Sequence, residues 1–122
     1  MLTKIISSVV ELTFADKKLE NLANDDRKML AALGKIRATI LRRRLAQLEN
    51  ATTLEDVRNL PGNYHELNND RKGQWGCDLD QPYRLVFIPH ETPIPSNSDG
   101  QYIWIEITGL EVLNIVNYHK EK

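Results

Sequence analysis

The spacing of apolar residues changes period at Leu60-Pro61-Gly62, and this change constrains the fold more than any other feature of the sequence. Ahead of it, from Met29, the apolar positions Leu33, Ile36, Ile40, Leu41, Leu45 and Leu48 advance in steps of three and four with one slip. That spacing predicts a long helix, weakened locally at Gly34. Beyond it, Trp75, Cys77 and Leu79 alternate with Gln74, Gly76 and Asp78, and Tyr83, Leu85 and Phe87 alternate with Arg84, Val86 and Ile88. Period-two alternation on both sides of Asp80-Gln81-Pro82 predicts a β-hairpin.

The flanking segments fill in the order of elements. Residues 5–14 alternate as a strand, with Ile6, Val10, Leu12 and Phe14 on one face. Asp16 is placed to cap a short helix carrying Leu19 and Leu22, Asn24-Asp25-Asp26 offers a second cap, and Thr53-Leu54-Glu55-Asp56 predicts a brief capped turn. Residues 89–100 hold three prolines and a closing Asp-Gly, so they read as a loop. Ile103, Ile105 and Ile107, opposed by Tyr102, Trp104 and Glu106, predict a further strand, and residues 111–118 another. The expectation is α+β: an N-terminal strand, then two helices on one face of a twisted antiparallel sheet of about five strands. Its core pairs Leu12, Phe14, Ile103, Ile105 and Ile107 with Leu33, Ile36 and Ile40. The sheet's other face is left for a ligand.

At 122 residues one domain spanning 1–122 is expected, with no room for a separate cofactor domain. No apolar run approaches a membrane span, which makes a cytoplasmic location the expectation and gives no role to a membrane. A single cysteine, Cys77, rules out an internal disulfide and alternates on an apolar face as a buried structural residue. The histidines His65, His90 and His119 lack zinc-ligand spacing, and neither phosphate-loop, dinucleotide, GxSxG nor HExxH motifs occur, so no cofactor or metal is expected. The net charge of -1 hides an asymmetry: residues 17–47 carry nine bases against three acids, whereas residues 48–122 carry six against twelve. A basic helical layer of this size suits a polyanion or an acidic partner, and equally a solvated helix surface.

The polar residues of the sheet half, His65, Glu66, Arg71, Lys72, Arg84, Tyr118 and His119, suit acid–base cleavage of RNA. A base must take the ribose 2′-OH proton, cations must hold the phosphate as its charge grows, and an acid must protonate the leaving 5′-oxygen. Each has a plainer alternative: Arg71 and Lys72 as solvated turn residues, and Arg84 as half of a salt bridge to Asp78 or Glu106.

The stretch LPGNYHELNNDRKGQW (Leu60 to Trp75), followed by PYRLVF (Pro82 to Phe87) and VNYH (Val116 to His119), resembles HigB-like killer toxins of the RelE/ParE superfamily. The resemblance implies a RelE-like fold and a toxin of a type II toxin–antitoxin system, a metal-independent mRNA interferase that cuts mRNA on the ribosome. It implies a helix-turn-helix antitoxin as partner, and contact with operator DNA only through the antitoxin complex. By position it assigns Arg84 to the scissile phosphate, His119 to proton transfer and Tyr118 to base stacking or the proton network. Arg71 and Lys72 would cradle the RNA backbone, His65 would lie at the cleft edge, and the basic helix with Arg42, Arg43 and Arg44 would face ribosomal RNA. Asn68 stands where the resemblance predicts a lysine, leaving that help to Arg71 or Lys72. A ParE-like gyrase poison and a non-catalytic binding module on the same fold remain open alternatives.

Overall fold

The structure, a computed structural model, describes residues 10–117. Strand β1 (Glu11–Phe14) leads through Asp16, whose carboxylate accepts the Lys18 N–H at 2.8 Å, into helix α1 (Lys17–Ala23). Asp25 caps helix α2 (Asp26–Leu33) in the same way, accepting the N–H groups of Arg27 and Lys28. These side-chain oxygens satisfy donors that the first helical turn leaves unpaired, so both caps act where the local sequence places them.

The single long helix of the sequence reading is two helices. Gly34 sits at φ 84°, a left-handed conformation that ends α2, and helix α3 (Lys35–Asn50) starts immediately after it. The break lets α3 bury Ala38, Leu41, Leu45 and Leu48. Ile36 lies about 200° round the helix from Ala38 at 3.6 residues per turn. It is accordingly 69% exposed, and Leu33 and Ile40 are only half-buried. The slip in the apolar spacing, at Ile40-Leu41, falls inside α3; the break comes at Gly34, which the sequence marked only as a local weakness. One further turn of helix, α4 (Leu54–Val57), buries Leu54 and Val57, and the Asp56 carboxylate accepts the Thr53 N–H at 3.3 Å. The described residues thus hold four helices rather than two.

The sheet has five strands in the order β1-β5-β4-β3-β2, with β2 (His65–Glu66), β3 (Trp75–Asp78), β4 (Tyr83–Pro89) and β5 (Gly109–Asn117) antiparallel in sequence. Strand β1 runs parallel to β5, Leu12 opposite Leu110 and Phe14 opposite Val112, so the sheet is mixed and not purely antiparallel as expected. The expected strand through Ile103, Ile105 and Ile107 is absent: Trp104–Glu106 form a 3₁₀ turn, Ile105 is 64% exposed, Ile103 is half-buried and only Ile107 is fully buried. In a 3₁₀ turn residues three apart superpose, which sends Trp104 and Ile107 inward together and alternation no longer applies.

Trp75, Cys77, Leu85, Phe87, Leu110 and Val112 join the buried residues of all four helices in one core. The helices therefore cover one face of the sheet. On the opposite face Leu67, Val86 and Val116 form a small second cluster, which explains why Leu85, Val86 and Phe87 are all buried in succession. The register places His65, Gly76, Val86 and Asn114 in one cross-strand row and Asp78, Arg84 and Val116 in the next, all on this second face. Among the described residues, no helix is long and apolar enough to cross a membrane.

Candidate active site

The turn after α4 positions the site. Arg44 reaches from α3 to this turn, its Nε donating to the Asp78 carbonyl at 2.8 Å and its Nη1 lying 3.4 Å from the Pro61 carbonyl. The Asp78 N–H donates to the Gly62 carbonyl at 2.9 Å. Asn63 follows at φ 56°, a left-handed conformation that asparagine tolerates better than most residues, and its Nδ2 donates to the Asp78 carboxylate at 3.3 Å. Tyr64 is buried behind the turn, its hydroxyl donating to Gln47 Oε1 at 2.8 Å. A helix, a turn and the end of a strand are thereby tied together around residues 61–64.

This tie orients His65. Its Nδ1 lies 2.7 Å from the Asn63 carbonyl oxygen. A carbonyl only accepts, so Nδ1 must carry the proton; in the neutral ring Nε2 then presents its lone pair. The ring of His65 is thereby held in one orientation.

Arg84 comes to the same place across the sheet. Gly76 pairs with His65 on one side and Val86 on the other, and a Cβ built on Gly76 would stand 3.6 Å from Arg84 Cδ. The missing side chain leaves a channel along which the arginine stem lies over β3, on the row next to His65. Asn63, His65, Asp78, Gln81, Pro82, Tyr83 and Arg84 line a pocket of about 180 Å³ there. The β3–β4 turn that supplies Gln81 and Pro82 is pinned from α3 by a two-point ion pair of Arg37 with Asp80 (2.8 and 3.1 Å), and the same guanidinium stands 3.6 Å from the Tyr83 ring centroid. The hydrogen bond to Asp80 strengthens Arg37's hold on its proton.

Arg71 and Lys72 are placed apart from this pocket. Arg71 donates to Gln74 Oε1 at 2.9 Å, and Lys72 lines a separate depression with Glu66 and Tyr102. His65 and Glu66 are successive residues of a strand, so they face opposite ways, and the two depressions lie on either side of β2. Arg42, Arg43 and Arg44 do not form one patch, because successive helical residues point about 100° apart. Arg42 flanks the buried stripe and lies 3.7 Å from Asp26, Arg43 faces solvent, and Arg44 is the internal clamp already described. Tyr118 and His119 lie outside the described residues. Asn117, the last described residue of β5, is opposite Tyr83 of the pocket wall.

Asn63 and Gln81 were not singled out from the sequence, and Asp78 only as a possible ion-pair partner of Arg84. The signal for Asn63 was its place after Pro-Gly, where a turn requires a residue that accepts positive φ. Cys77 is fully buried, and burial pushes its thiol up to about 12, so it is no nucleophile at neutral pH. No protein-family model matches the chain, and no curated protein is significantly similar to it.

Proposed function

We propose that this chain is a metal-independent endoribonuclease with a RelE-like fold, the toxin of a type II toxin–antitoxin pair that cuts mRNA on the ribosome. The observation that carries this reading is the juxtaposition, across Gly76, of an oriented His65 with Arg84 in one small polar pocket. In the reaction His65 Nε2 takes the proton of a ribose 2′-OH. The 2′-oxygen attacks the adjacent phosphorus, the bond from phosphorus to the 5′-oxygen breaks, and the products are a 2′,3′-cyclic phosphate and a 5′-hydroxyl. Arg84 supports the phosphoryl oxygens as their negative charge grows, and its planar fork suits that geometry. The resemblance supplies His119 as the acid that protonates the leaving 5′-oxygen and Tyr118 as its helper; they follow in sequence on Asn117, which pairs with Tyr83 of the pocket wall. Lys18, Arg27, Lys28, Lys35, Arg42 and Arg43 remain exposed on the helical layer and suit contact with ribosomal RNA or with an acidic segment of a helix-turn-helix antitoxin.

Inducible expression in bacteria followed by primer extension on a reporter mRNA tests the reading. Growth arrest with cuts at codon boundaries is the expected result. Arg84→Ala, His65→Gln and His119→Gln should each lower cleavage by about a hundredfold or more, the usual effect of removing one charged donor or one general acid–base group. DNA damage without mRNA cuts, or unimpaired growth, would overturn it.

A further inference from the structure

The segment between β4 and β5 builds a second depression, and we propose that it is a subsite for a nucleotide of single-stranded RNA flanking the cut, with Tyr102 stacking on the base and Lys72 holding its phosphate. This rests on the ribonuclease reading and extends it across the outer edge of β2. The segment is well fastened. Ser96 bridges to Tyr102, the Ile103 N–H donates to the Pro95 carbonyl at 2.9 Å, and the Asn97 side chain accepts the N–H groups of Asp99 and Gln101 at 2.9 and 3.0 Å. It seats on Gly73, where an added Cβ would stand 3.2 Å from Ile94 Cδ1 and 3.8 Å from the Tyr102 hydroxyl.

The floor of the depression is aromatic. Trp104 packs edge-on to the buried Trp75 with ring centroids 5.5 Å apart, and Tyr102 leans on Trp104 at 5.1 Å, half-exposed. Lys72 Nζ stands 5.9 Å above the Tyr102 centroid. The one carboxylate in the lining, Glu66, is held by Arg58 at 2.9 Å, whereas no carboxylate among the described residues comes within ion-pair distance of Lys72. A depression of about 510 Å³ with an aromatic ring, an uncompensated cation and the amides of Asn97 and Gln101 has the chemistry of a single-strand subsite, where rings take bases of any sequence and cations track phosphates. It adjoins the first pocket through β2, Glu66 lining this depression and His65 the other. The two residues are neighbours whose side chains face opposite ways, and β2 is an edge strand with no further strand beyond it among the described residues. A few nucleotides crossing that edge occupy both depressions.

The test is fluorescence anisotropy of the full chain with labelled, 2′-O-methylated single-stranded RNA, which cannot be cut, in a length that spans both depressions and a length that fills only the first. Tyr102→Leu should weaken binding of the long RNA roughly tenfold or more, as loss of one base–aromatic stack does, and Tyr102→Phe should keep it. Lys72→Met, an exposed change that leaves packing untouched, should weaken it severalfold and reduce the salt dependence by about one phosphate contact. None of these variants should alter binding of the short RNA. Unchanged long-RNA binding by Lys72→Met and Tyr102→Leu, with the unmutated chain binding both lengths, overturns the subsite alone. Failure of the unmutated chain both to bind these RNAs and to cut the reporter mRNA overturns the ribonuclease reading together with it.

Discussion

A Cβ on Gly62 would stand 2.8 Å from Cζ of Arg44. The clamp of α3 on the turn before His65 thus depends on a missing side chain, and Gly62 also sits at φ 127°, a conformation side chains resist. Gly62→Ala is expected to destabilise the chain by about 1–3 kcal/mol through backbone strain, with a further loss as Arg44 is pushed off the Asp78 carbonyl. Urea unfolding reads the first effect. Arg44→Met separates the second, since it removes the clamp and leaves the backbone unstrained.

Gly76 gives the corresponding test at the pocket of the proposed ribonuclease. Valine there would crowd Leu67 Cδ2, which lies 3.3 Å from the Cβ position, and Arg84 Cδ at 3.6 Å. The fold should survive with a loss of about 1–3 kcal/mol from overpacking. Cleavage should fall toward the level of Arg84→Ala. A folded Gly76→Val protein that cuts mRNA at the unmutated rate would show that the path of the arginine over β3 does not matter to the chemistry.

The break at Gly34 predicts two opposite outcomes on one helix. Leu41 is fully buried, so Leu41→Ala should cost about 2–5 kcal/mol. Ile36 stands in solvent despite its place in the apolar spacing, and Ile36→Asp should change stability by only about 0.5 kcal/mol. Thermal melts of the two variants side by side decide the register of α3.

Stability should fall in alkali because of Cys77. Its ordinary value is 9.0 and burial pushes it up to about 12, so the folded chain keeps a proton that the unfolded chain releases from about pH 9 upward. The contribution is present below that pH and is lost progressively as pH rises toward 12. Tyr64, whose phenol is also raised mainly by burial, adds to the decline above its ordinary value of 10.0. Unfolding free energy measured across this range should slope less steeply for Cys77→Ala. At neutral pH the native thiol should resist iodoacetamide and react once the chain is unfolded in urea.

What the sequence made legible was local. Asp16, Asp25 and Asp56 act within three residues of themselves, and the hairpin between β3 and β4 closes over four, so capping and alternation were enough to place them. Ile103, Ile105 and Ile107 misled because three alternating isoleucines have the same pattern in a strand as in a segment whose middle residue points to solvent; the packing of Trp104 on Trp75 decides between them. Arg84 was recognisable as a charge that needed a purpose in mid-strand. The orientation of His65 was not, since it depends on a carbonyl at Asn63 whose position is set by Arg44 and Asp78 from elsewhere in the chain. The parallel pairing of β1 was equally hidden, because it joins residues about a hundred positions apart.

That pairing also orders events at birth. Strand β5 lies between β1 and β4 but is the last of the five to be synthesised, so until it emerges β1 has no partner in the sheet and β4 has only β3. His65 emerges earlier on β2, whose partner in the sheet is β3, and Arg84 on β4, which still lacks β5 on one side. A nascent chain therefore carries both residues before the sheet is finished, and the pairing of Tyr83 in the pocket wall is completed only when the sequence through Asn117 has been delivered.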